Sequence, residues 1–578
     1  MSTKKEVSRR QLLASVGAGL AGAALENLSG CGPVDRNKAP NPIESGGAAT
    51  STSNSVVKFT DITREAGIDF VQSHGGCGLR YFVEQVAAGA AVFDANGDGY
   101  PDIYFPQPKP LGACKSKFKQ PLRHRLYIND GKGNFRLSPD AFGGVETDYG
   151  IAAAVGDYNN DGHPDLYVAC YGKNKLFKNR GDGTFEDVTE RAGVGLGGFS
   201  TGAVWFDYDG DGLLDLYVLR YCQWSVETDV ACHGPKGERD VCKPETYVAA
   251  TNVLYHNNGD GTFTDVTQKA GAAPGRRRSL SAAAVDFDGD GRLDLFVAND
   301  LGANYLLHNN GDGTFTDLAV EQSVALGLTG NHQANMGTAV GDYNDSGRIS
   351  ILVTTFSNEP YTLYRNDGNY FTDVSGTAGI TVPTLPYLGF GTGFFDARNM
   401  GRLDLFFANG HVSPFSYLDN PIWTYKERNQ LLLNDGTGRY TEDINALPKD
   451  DVKVHRGAYF ADFNNDGRMD ILVTASDDRP TLLRNDTDPA NWLMLKLTDK
   501  RGCCTPIGTR CVATVNGHKL TRIVLSGGSY GGDSDHRVHF GLDRASKVDR
   551  LDIHWMSGTL QSLQNVGANQ ILSLREQG

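Results

Sequence analysis

The chain has 578 residues, enough for several domains or for one large repeat architecture with an ample core. Glycine contributes 71 residues, about 12% against the usual ~7%, a composition typical of turn-rich all-β proteins. The formal net charge of −14 argues against binding to nucleic acid or to anionic membrane surfaces.

Residues 1–31 have the pattern of an export signal. A twin arginine precedes the weakly apolar run Leu12–Leu25, which is too short to span a membrane as a stable helix. The following "LSGC" resembles a bacterial lipobox and predicts acylation of Cys31, the alternative being a cleaved signal with a chance cysteine. The composition of residues 32–56 predicts a flexible polar linker. We therefore expect an exported, periplasmic or cell-surface protein that meets the membrane only through a lipid anchor.

Without Cys31, nine cysteines remain, so at least one thiol is unpaired. Disulfides are permitted in an exported protein. Cys232 and Cys242 lie in one insertion, and we predict that they pair. No CxxC or Cys/His spacing suggests zinc.

A nine-residue acidic motif, D-x-[DN]-x-D-G-x-x-D, recurs through residues 57–489. Five intact copies begin at Asp94, Asp157, Asp207, Asp286 and Asp462, and two eroded copies begin at Asp342 and Asp396. Each copy leads into a β-like run and then into a hairpin signal such as "NNGDGT". Four strands per unit are typical of a propeller blade, so the seven copies predict a seven-bladed β-propeller.

The last blade lacks its fourth strand in sequence order. Its hairpin begins at Leu482, but the return strand is missing, whereas a matching "KFTDITREAG" stands at residues 58–67. We predict that residues 58–63 complete the seventh blade and close the ring without a free edge.

The five intact loops predict oxygen-only cation sites, which suit Ca²⁺ better than Mg²⁺. An EF-hand is excluded, because position twelve of the loop at Asp286 is Val297. The alternative is an acidic turn whose aspartates cap local amides. The predicted ligands, with the seventh position of each loop acting through its carbonyl, are Asp94, Asn96, Asp98, Tyr100, Asp102, Asp157, Asn159, Asp161, His163, Asp165, Asp207, Asp209, Asp211, Leu213, Asp215, Asp286, Asp288, Asp290, Arg292, Asp294, Asp462, Asn464, Asp466, Arg468 and Asp470.

The eroded loops predict a different outcome. Ser346 and Ser350 replace aspartates in the fifth loop, and Arg398 and Met400 replace ligands in the sixth. We expect about five Ca²⁺ ions in the intact loops and none in the sixth, where Arg398 would place its own cation; the fifth stays open.

These loops and hairpins resemble FG-GAP or VCBS repeats, the calcium-loop blades also found in integrin α-chain propellers. Residues 490–578 resemble the ASPIC/UnbV domain through "IGTRC" at Ile507, "VHFGL" at Val538 and "IHWMSG" at Ile553. This part is expected to be a small β-rich, sandwich-like domain, and its "GSYGGDSD" departs from the family pattern. The combination resembles the cartilage acidic protein family, which implies an extracytoplasmic, calcium-binding protein for adhesion or interaction.

Four polar residues are candidates for a site at the central funnel: His74, Glu84, His332 and His411 flank predicted inner strands. The alternative is that they are turn or channel-lining residues with backbone partners. No hydrolase, metalloprotease or nucleotide-binding motif is present, and no catalytic residue is assigned.

Three functions remain open. The first is a monomeric interaction module that recognises a protein or polysaccharide, favoured by the aromatic insertion around Trp224. The second is an enzyme or accessory protein that acts on a glycan or natural product at the funnel. The third is a structural envelope component.

Overall fold

The computed structural model describes residues 57–234 and 236–577. The predicted signal, Cys31 and the linker lie outside the described residues. The regular secondary structure of the described residues is almost wholly β; their α-helices are the single turns α1 (Thr189–Ala192) and α2 (Thr381–Thr384). Its 3₁₀ turns are Phe82–Gln85, Gly112–Lys117, Val226–Thr228, Pro244–Thr246 and Ser416–Leu418. None of these helices is long and apolar enough to cross a membrane.

The predicted seven-bladed β-propeller is confirmed. Blades 1 to 3 consist of β2 (Ala90–Phe93), β3 (Asp102–Phe105), β4 (Arg125–Asn129) and β5 (Phe135–Leu137); β6 (Tyr149–Gly156), β7 (Asp165–Tyr171), β8 (Lys175–Asn179) and β9 (Phe185–Asp187); and β10 (Ser200–Phe206), β11 (Asp215–Arg220), β12 (Val253–Asn257) and β13 (Phe263–Asp265). Blades 4 to 6 consist of β14 (Ser279–Val285), β15 (Asp294–Asn299), β16 (Tyr305–Asn309) and β17 (Phe315–Asp317); β18 (Thr338–Gly341), β19 (Ser350–Val353), β20 (Thr362–Asn366) and β21 (Phe371–Asp373); and β22 (Gly389–Phe395), β23 (Asp404–Asn409), β25 (Gln430–Asn434) and β26 (Tyr440–Glu442), the last blade with the short ribbon β24 (Glu427–Arg428) and β27 (Val452–Lys453). Blade 7 consists of β28 (His455–Ala461), β29 (Asp470–Ala475), β30 (Thr481–Asn485) and the N-terminal strand β1 (Phe59–Asp61).

The seven inner strands form a closed ring. Each first strand of a blade contacts the first strand of the next, and β28 contacts β2. Their side chains are small, as in the buried run Ala282–Ala284 of β14, because little space remains where seven strands converge. Strands within a blade are antiparallel. Acidic loops and hairpin turns therefore lie on one face of the propeller, and the remaining connections lie on the other; we name these the loop face and the cap face.

The predicted closure by the N-terminal strand is also present. β1 pairs antiparallel with β30, with Phe59 opposite Asn485 and Asp61 opposite Leu483. The Leu482 amide donates to the Thr63 hydroxyl at 2.8 Å, which fixes the register. The last blade thus has four strands and no open edge on its outer side.

The C-terminal domain is a two-layer β structure on the loop face. Its strands are β31 (Asn491–Thr498), β32 (Arg510–Val515), β33 (His518–Ile523), β34 (Gly532–Asp533), β35 (Val538–Asp543), β36 (Lys547–His554), β37 (Leu560–Gly567) and β38 (Gln570–Arg575). One sheet has the order β35-β31-β38, and the other has the order β33-β32-β36-β37. Leu493 and Phe540 share a continuous apolar core with Leu295 of blade 4, so the domain is packed firmly onto the propeller.

Residues Ser526–Asp535 leave this domain and enter the propeller channel; we call this segment the plug. β34, inside the plug, pairs in parallel with β2, with Gly532 opposite Ala90. A Cβ atom on Gly532 would lie 1.6 Å from the Ala90 carbonyl oxygen, so only glycine fits there. The "GSYGGDSD" stretch that departs from the family pattern therefore lies in the central channel of the propeller.

The plug contacts an inner strand of every blade. Contacts with blades 1 to 7 run respectively through Ala90, Val155, Trp205, Ala282, Thr338, Phe390 and Tyr459. Tyr530, the largest plug side chain, is 1% exposed and donates to the Val86 carbonyl at 2.8 Å. Because the plug completes the backbone hydrogen bonds of the inner strands, the channel is filled with protein at this level.

Candidate cation sites and the capped channel mouth

All seven acidic loops share one backbone arrangement. The first aspartate accepts a hydrogen bond from the glycine amide at position six, at 2.9 Å for Asp94 and at 3.0 Å for Asp157 and Asp286. The corresponding acceptors in the other blades are Asp207, Asp342, Asp396 and Asp462. The capping that was the alternative to metal binding therefore exists, and at Asp157, Asp207 and Asp286 it engages both carboxylate oxygens.

Two buried carboxylate oxygens of the acidic loops are left without a hydrogen-bond partner among the described residues. Asp165 is fully buried, and its Oδ2 makes no hydrogen bond; Oδ1 of Asp94 is likewise buried and unpaired. Burial raises the pKa of Asp102 to about 8 and that of Asp294 to about 7. Buried carboxylates of this kind need either a proton or a cation, so the donor set fits a hard divalent ion.

Among the described residues, the predicted carboxylate ligands converge in blades 3 and 4. The carboxylates of Asp207, Asp209 and Asp211 offer oxygens within 4.8 Å of one another, and so do those of Asp286, Asp288 and Asp290. Side-chain cations lie beside some loops: Lys178 Nζ is 3.1 Å from Asp161 and Lys496 Nζ is 3.3 Å from Asp94. Arg292 and Arg468 are predicted to bind the cation through their backbone carbonyls, and their guanidinium groups form ion pairs with Asp290 and Asp466.

In the two eroded loops, positively charged arginine side chains lie beside the loop carboxylates. In blade 6, Nη2 of Arg398 donates to Asp404 Oδ1 at 2.7 Å, and its Nε donates to Oδ2 at 3.2 Å, so the side chain pairs with the ninth-position carboxylate as the sequence suggests. Arg522 of the C-terminal domain is half-buried beside Asp342 of blade 5 and Asp396 of blade 6, and it donates to the Gly401 carbonyl at 3.0 Å.

A ring of asparagines joins the loops of neighbouring blades, and sequence reasoning missed it. Asn129 donates its backbone amide to Asp102 of its own loop and its Nδ2 to the Phe463 carbonyl of the adjacent blade, both at 2.8 Å. Side-chain amides at the same position reach the neighbouring loop in every blade, from Asn129, Asn179, Asn257, Asn309, Asn366, Asn434 and Asn485. The signal was the asparagine repeated at the end of each third strand.

The four candidate funnel residues do not form one site. His74 Nδ1 lies 3.7 Å from Glu84 Oε2, and burial raises the pKa of Glu84 to about 7. His411 is 2% exposed, accepts the Ser413 amide at 3.0 Å, and has its pKa lowered to about 4 by burial. His332 is exposed on its loop.

The mouth of the channel on the cap face is covered by the insertion between β11 and β12, which we call the cap. Ser413 of blade 6 donates to Asp240 of the cap at 2.6 Å, and Arg239 donates to the Leu79 carbonyl at 2.8 Å. The predicted Cys232–Cys242 disulfide closes a turn of the cap, and a second disulfide, Cys77–Cys114, was not predicted. The predicted funnel is therefore covered.

Beneath the cap lies a buried arginine that the sequence did not reveal. Arg456 donates to the carbonyls of Gln85 at 3.1 Å and Gly410 at 2.9 Å, and its guanidinium stands 4.0 Å from the Phe390 ring centroid. Oε1 of Glu84 and Nε2 of His411 are buried there without a hydrogen-bond partner among the described residues.

Seven blades with acidic loops, joined to a C-terminal β domain, define the chain as a β-propeller built from acidic-loop repeats. Family models for an FG-GAP-like repeat match residues 121–168, 157–218, 242–297, 286–353 and 399–473, and a model for ASPIC and UnbV matches residues 504–578. The chain therefore belongs to the FG-GAP-repeat proteins that carry an ASPIC and UnbV domain. This architecture, with its disulfides, is that of an extracellular β-propeller protein.

Cartilage acidic protein 1 is a curated relative. The human protein is 26% identical over 296 residues, covering 49% of this chain and 41% of the relative, and the mouse protein is 25% identical over 295 residues, covering 49% and 42%. The match thus spans less than half the length of these relatives. Similar solved structures include an Agrocybe aegerita lectin (TM-score 0.35, 16% identity, 62% of this chain and 79% of that one) and the BP39L lectin of Burkholderia pseudomallei (TM-score 0.40, 9% identity, 73% and 98%). These TM-scores do not bear on ligand or function.

Proposed function

We propose that this protein is an exported, calcium-binding interaction module that is lipid-anchored through Cys31 and recognises a protein or polysaccharide at the cell surface. The observation that carries the proposal is the division between the two faces. The loop face holds the acidic loops and the C-terminal domain, whereas the cap face carries most of the exposed apolar side chains of the described residues.

The exposed apolar side chains of the cap face lie in connections from several blades. They are Val71, Leu79, Val230, Val248, Leu328, Val382, Leu385, Tyr417 and Ile422. Exposed apolar and aromatic groups on loops braced by disulfides suit recognition. Because plug and cap fill and cover the channel, the outer surface of the cap face is favoured over an open funnel.

Calcium has a structural role in this proposal. Each intact loop joins the first two strands of its blade, and the asparagine ring connects it to the next loop. A Ca²⁺ ion held by the loop carboxylates would neutralise charges that otherwise repel one another. Five divalent ions would change the formal charge from −14 to −4, since five ions carry ten positive charges.

The test is a glycan and secreted-protein array probed with the purified protein, with and without calcium. The variant Tyr417→Ala removes an aromatic side chain that is 52% exposed on the cap face, and its matched control Tyr370→Ala removes one that is 53% exposed on a hairpin of the loop face. We expect at least tenfold weaker binding for the first variant and unchanged binding for the second. Equal effects of the two variants, or no ligand on the array, would contradict the recognition role.

A second function is supported by the unpaired polar atoms under the cap. Glu84, with its raised pKa, is suited to general acid or base chemistry on a glycan or natural product. Glu84→Gln would then abolish turnover of an array-identified ligand while calcium uptake stays the same. Turnover that survives this substitution would exclude the role of Glu84.

A further inference from the structure

The arginine beneath the cap is buried without a negatively charged partner among the described residues. Arg456 is 1% exposed, and its guanidinium group donates to the backbone carbonyls of Gln85, Gly410 and His455. The guanidinium carbon lies 4.0 Å from the centroid of the Phe390 ring. All of these partners are uncharged, so the positive charge, which arginine keeps even when it is buried, is not neutralised.

The carboxyl groups of this region do not supply the missing negative charge. Glu427 is the acidic residue whose charge acts on Arg456, but no ion pair joins the two side chains. Burial raises the pKa of Glu427 to about 8, so this carboxyl group is protonated at neutral pH. Glu84 and Asp477 lie beside His74, at 3.7 and 3.8 Å from its ring nitrogens. Within the described part of the chain, the arginine therefore has no fixed counter-ion.

Three N–H donors around this guanidinium group lack an acceptor among the described residues. Arg456 donates through Nε and Nη1 and leaves Nη2 unpaired, and Nε2 of Gln85 and Nε2 of His411 are buried without a partner. Nδ1 of His411 accepts the Ser413 amide at 3.0 Å, so the proton of the neutral ring is on Nε2. Because Arg456 binds the carbonyls of Gln85 and of Gly410, which precedes His411, the three donors belong to one small region.

The region is enclosed. Gln85 is 8% exposed and His411 is 2% exposed. The Trp423 ring stacks on that of His411 with centroids 5.7 Å apart, and its Nε1 is a further buried donor without a partner among the described residues. Above them, the hydrogen bond from Ser413 to Asp240 holds the cap in place. A ligand at this position is therefore small and is shielded from solvent.

The donor set favours an anion over water. Buried donors without acceptors normally indicate a bound water molecule or ion, and a buried charge without a counter-ion is costly. A water molecule would accept hydrogen bonds from these donors but would leave the arginine charge uncompensated. The face of the Phe390 ring offsets only part of this charge. A small anion would accept the hydrogen bonds and also neutralise the charge.

We propose that Arg456, Gln85 and His411 form a binding site for one small monovalent inorganic anion of the chloride class beneath the cap. The inference goes beyond the proposed recognition role and does not depend on calcium binding. Arg456 belongs to blade 7, Gln85 precedes the inner strand of blade 1, and His411 follows a strand of blade 6. A bound anion would therefore connect three blades at the channel mouth and stabilise the closed ring.

The test compares the full chain in chloride with the full chain in gluconate, an anion too large for an enclosed site, at equal ionic strength and calcium concentration. We expect the melting temperature in calorimetry to rise with the logarithm of the chloride concentration, as for a site present only in the folded state. Crystals soaked in bromide should show an anomalous-scattering peak beside the Arg456 guanidinium group. The proposal requires both results. A bromide peak without an effect of chloride in solution would be binding at crystal concentration only and would overturn it.

Two substitutions locate the site in solution. Gln85→Met removes one donor and keeps the length of the side chain, so it should melt like the parent in gluconate but bind chloride about tenfold more weakly, because hydrogen bonds to charged groups are strong. A merely structural role of Gln85 would instead lower the melting temperature equally in both salts. Arg456→Met should abolish the chloride dependence. Arg428→Met removes an arginine that stacks on Tyr387 and is paired with Glu442; it is the matched control and should keep the dependence.

The Gln85→Met variant keeps the proposal falsifiable if Arg456→Met does not fold. Parental chloride affinity in Gln85→Met, or a chloride dependence that survives in a folded Arg456→Met protein, would overturn the site. Equal melting temperatures of the parent in chloride and gluconate would show that water alone occupies these donors.

Discussion

Tyr530 provides the sharpest test of the plug. Its ring is 1% exposed in the channel, its hydroxyl donates to the Val86 carbonyl at 2.8 Å, and its carbonyl accepts the Tyr459 hydroxyl at 2.7 Å. The ring also meets Phe390 of blade 6 edge-on, with centroids 4.9 Å apart. Substitution of this residue therefore disturbs contacts with several blades at once.

Two substitutions of Tyr530 separate the contribution of its ring to stability from that of its hydroxyl group. Tyr530→Phe leaves the Val86 carbonyl without this donor and should lower the free energy of unfolding by about 1–2 kcal/mol. Tyr530→Ala also leaves a cavity where the ring packs, and large-to-small substitutions of buried aromatic residues cost about 3–5 kcal/mol. The ring thus contributes more than the hydroxyl.

Urea denaturation followed by tryptophan fluorescence measures both values, with calcium held constant. Tyr417→Ala is the control, because that side chain is 52% exposed, and its midpoint should match the parent. A Tyr530→Ala protein with the parental midpoint would refute the insertion of the plug. A Tyr530→Phe protein as unstable as Tyr530→Ala would refute the assignment of most of the energy to ring packing.

Further predictions concern charge. Calcium at ten times its dissociation constant should stabilise the protein by about 1.4 kcal/mol per occupied loop in calorimetry; Asp165→Asn should reduce uptake by one ion, and its positional counterpart Asp404→Asn, where Arg398 supplies the cation, should not. Arg522→Met removes the half-buried cation shared by the loops of blades 5 and 6 and should cost about 1–3 kcal/mol in urea denaturation, whereas the exposed Lys519→Met should cost nothing measurable. Burial raises the pKa of Glu84 from 4.5 to about 7 in the folded protein, so the folded state stays protonated up to a higher pH than the unfolded state. The free energy of unfolding should therefore fall as the pH rises from about 4.5 to about 7. Glu84→Gln should flatten that slope, and an unchanged slope would contradict the assignment.

The repeat made the propeller predictable. Acidic loops, hairpin turns and apolar runs are local patterns, so the blades could be placed from the sequence, and the missing strand of blade 7 identified β1 as its closure. The register of the motif also predicted that Arg398 places its own cation in the sixth loop, whereas its partner Asp404 was identified only in the structure. Cys232–Cys242 was predictable because both cysteines lie in one insertion.

Features that depend on distant parts of the chain could not be predicted. The plug contacts residues more than 400 positions earlier, such as Val86. The sequence "GSYGGDSD" does not indicate which part of the chain it contacts. The Cys77–Cys114 disulfide depends on how two loops of blade 1 fold back, and the covered funnel depends on the path of the cap across the ring. The glycines of the plug were the available signal, since they indicate close backbone approach without naming the partner.

The position of the plug also has consequences for biogenesis. Domains generally fold as they emerge during synthesis, N-terminal portions first. Here β1 cannot pair until β30 has been synthesised. The inner strands of all seven blades likewise cannot contact Ser526–Asp535 until this later segment has been synthesised. Partly synthesised propellers would have unfilled channels and unpaired inner-strand groups. The native ring therefore forms only after the plug has been synthesised, so that a segment of the C-terminal domain completes the propeller that precedes it.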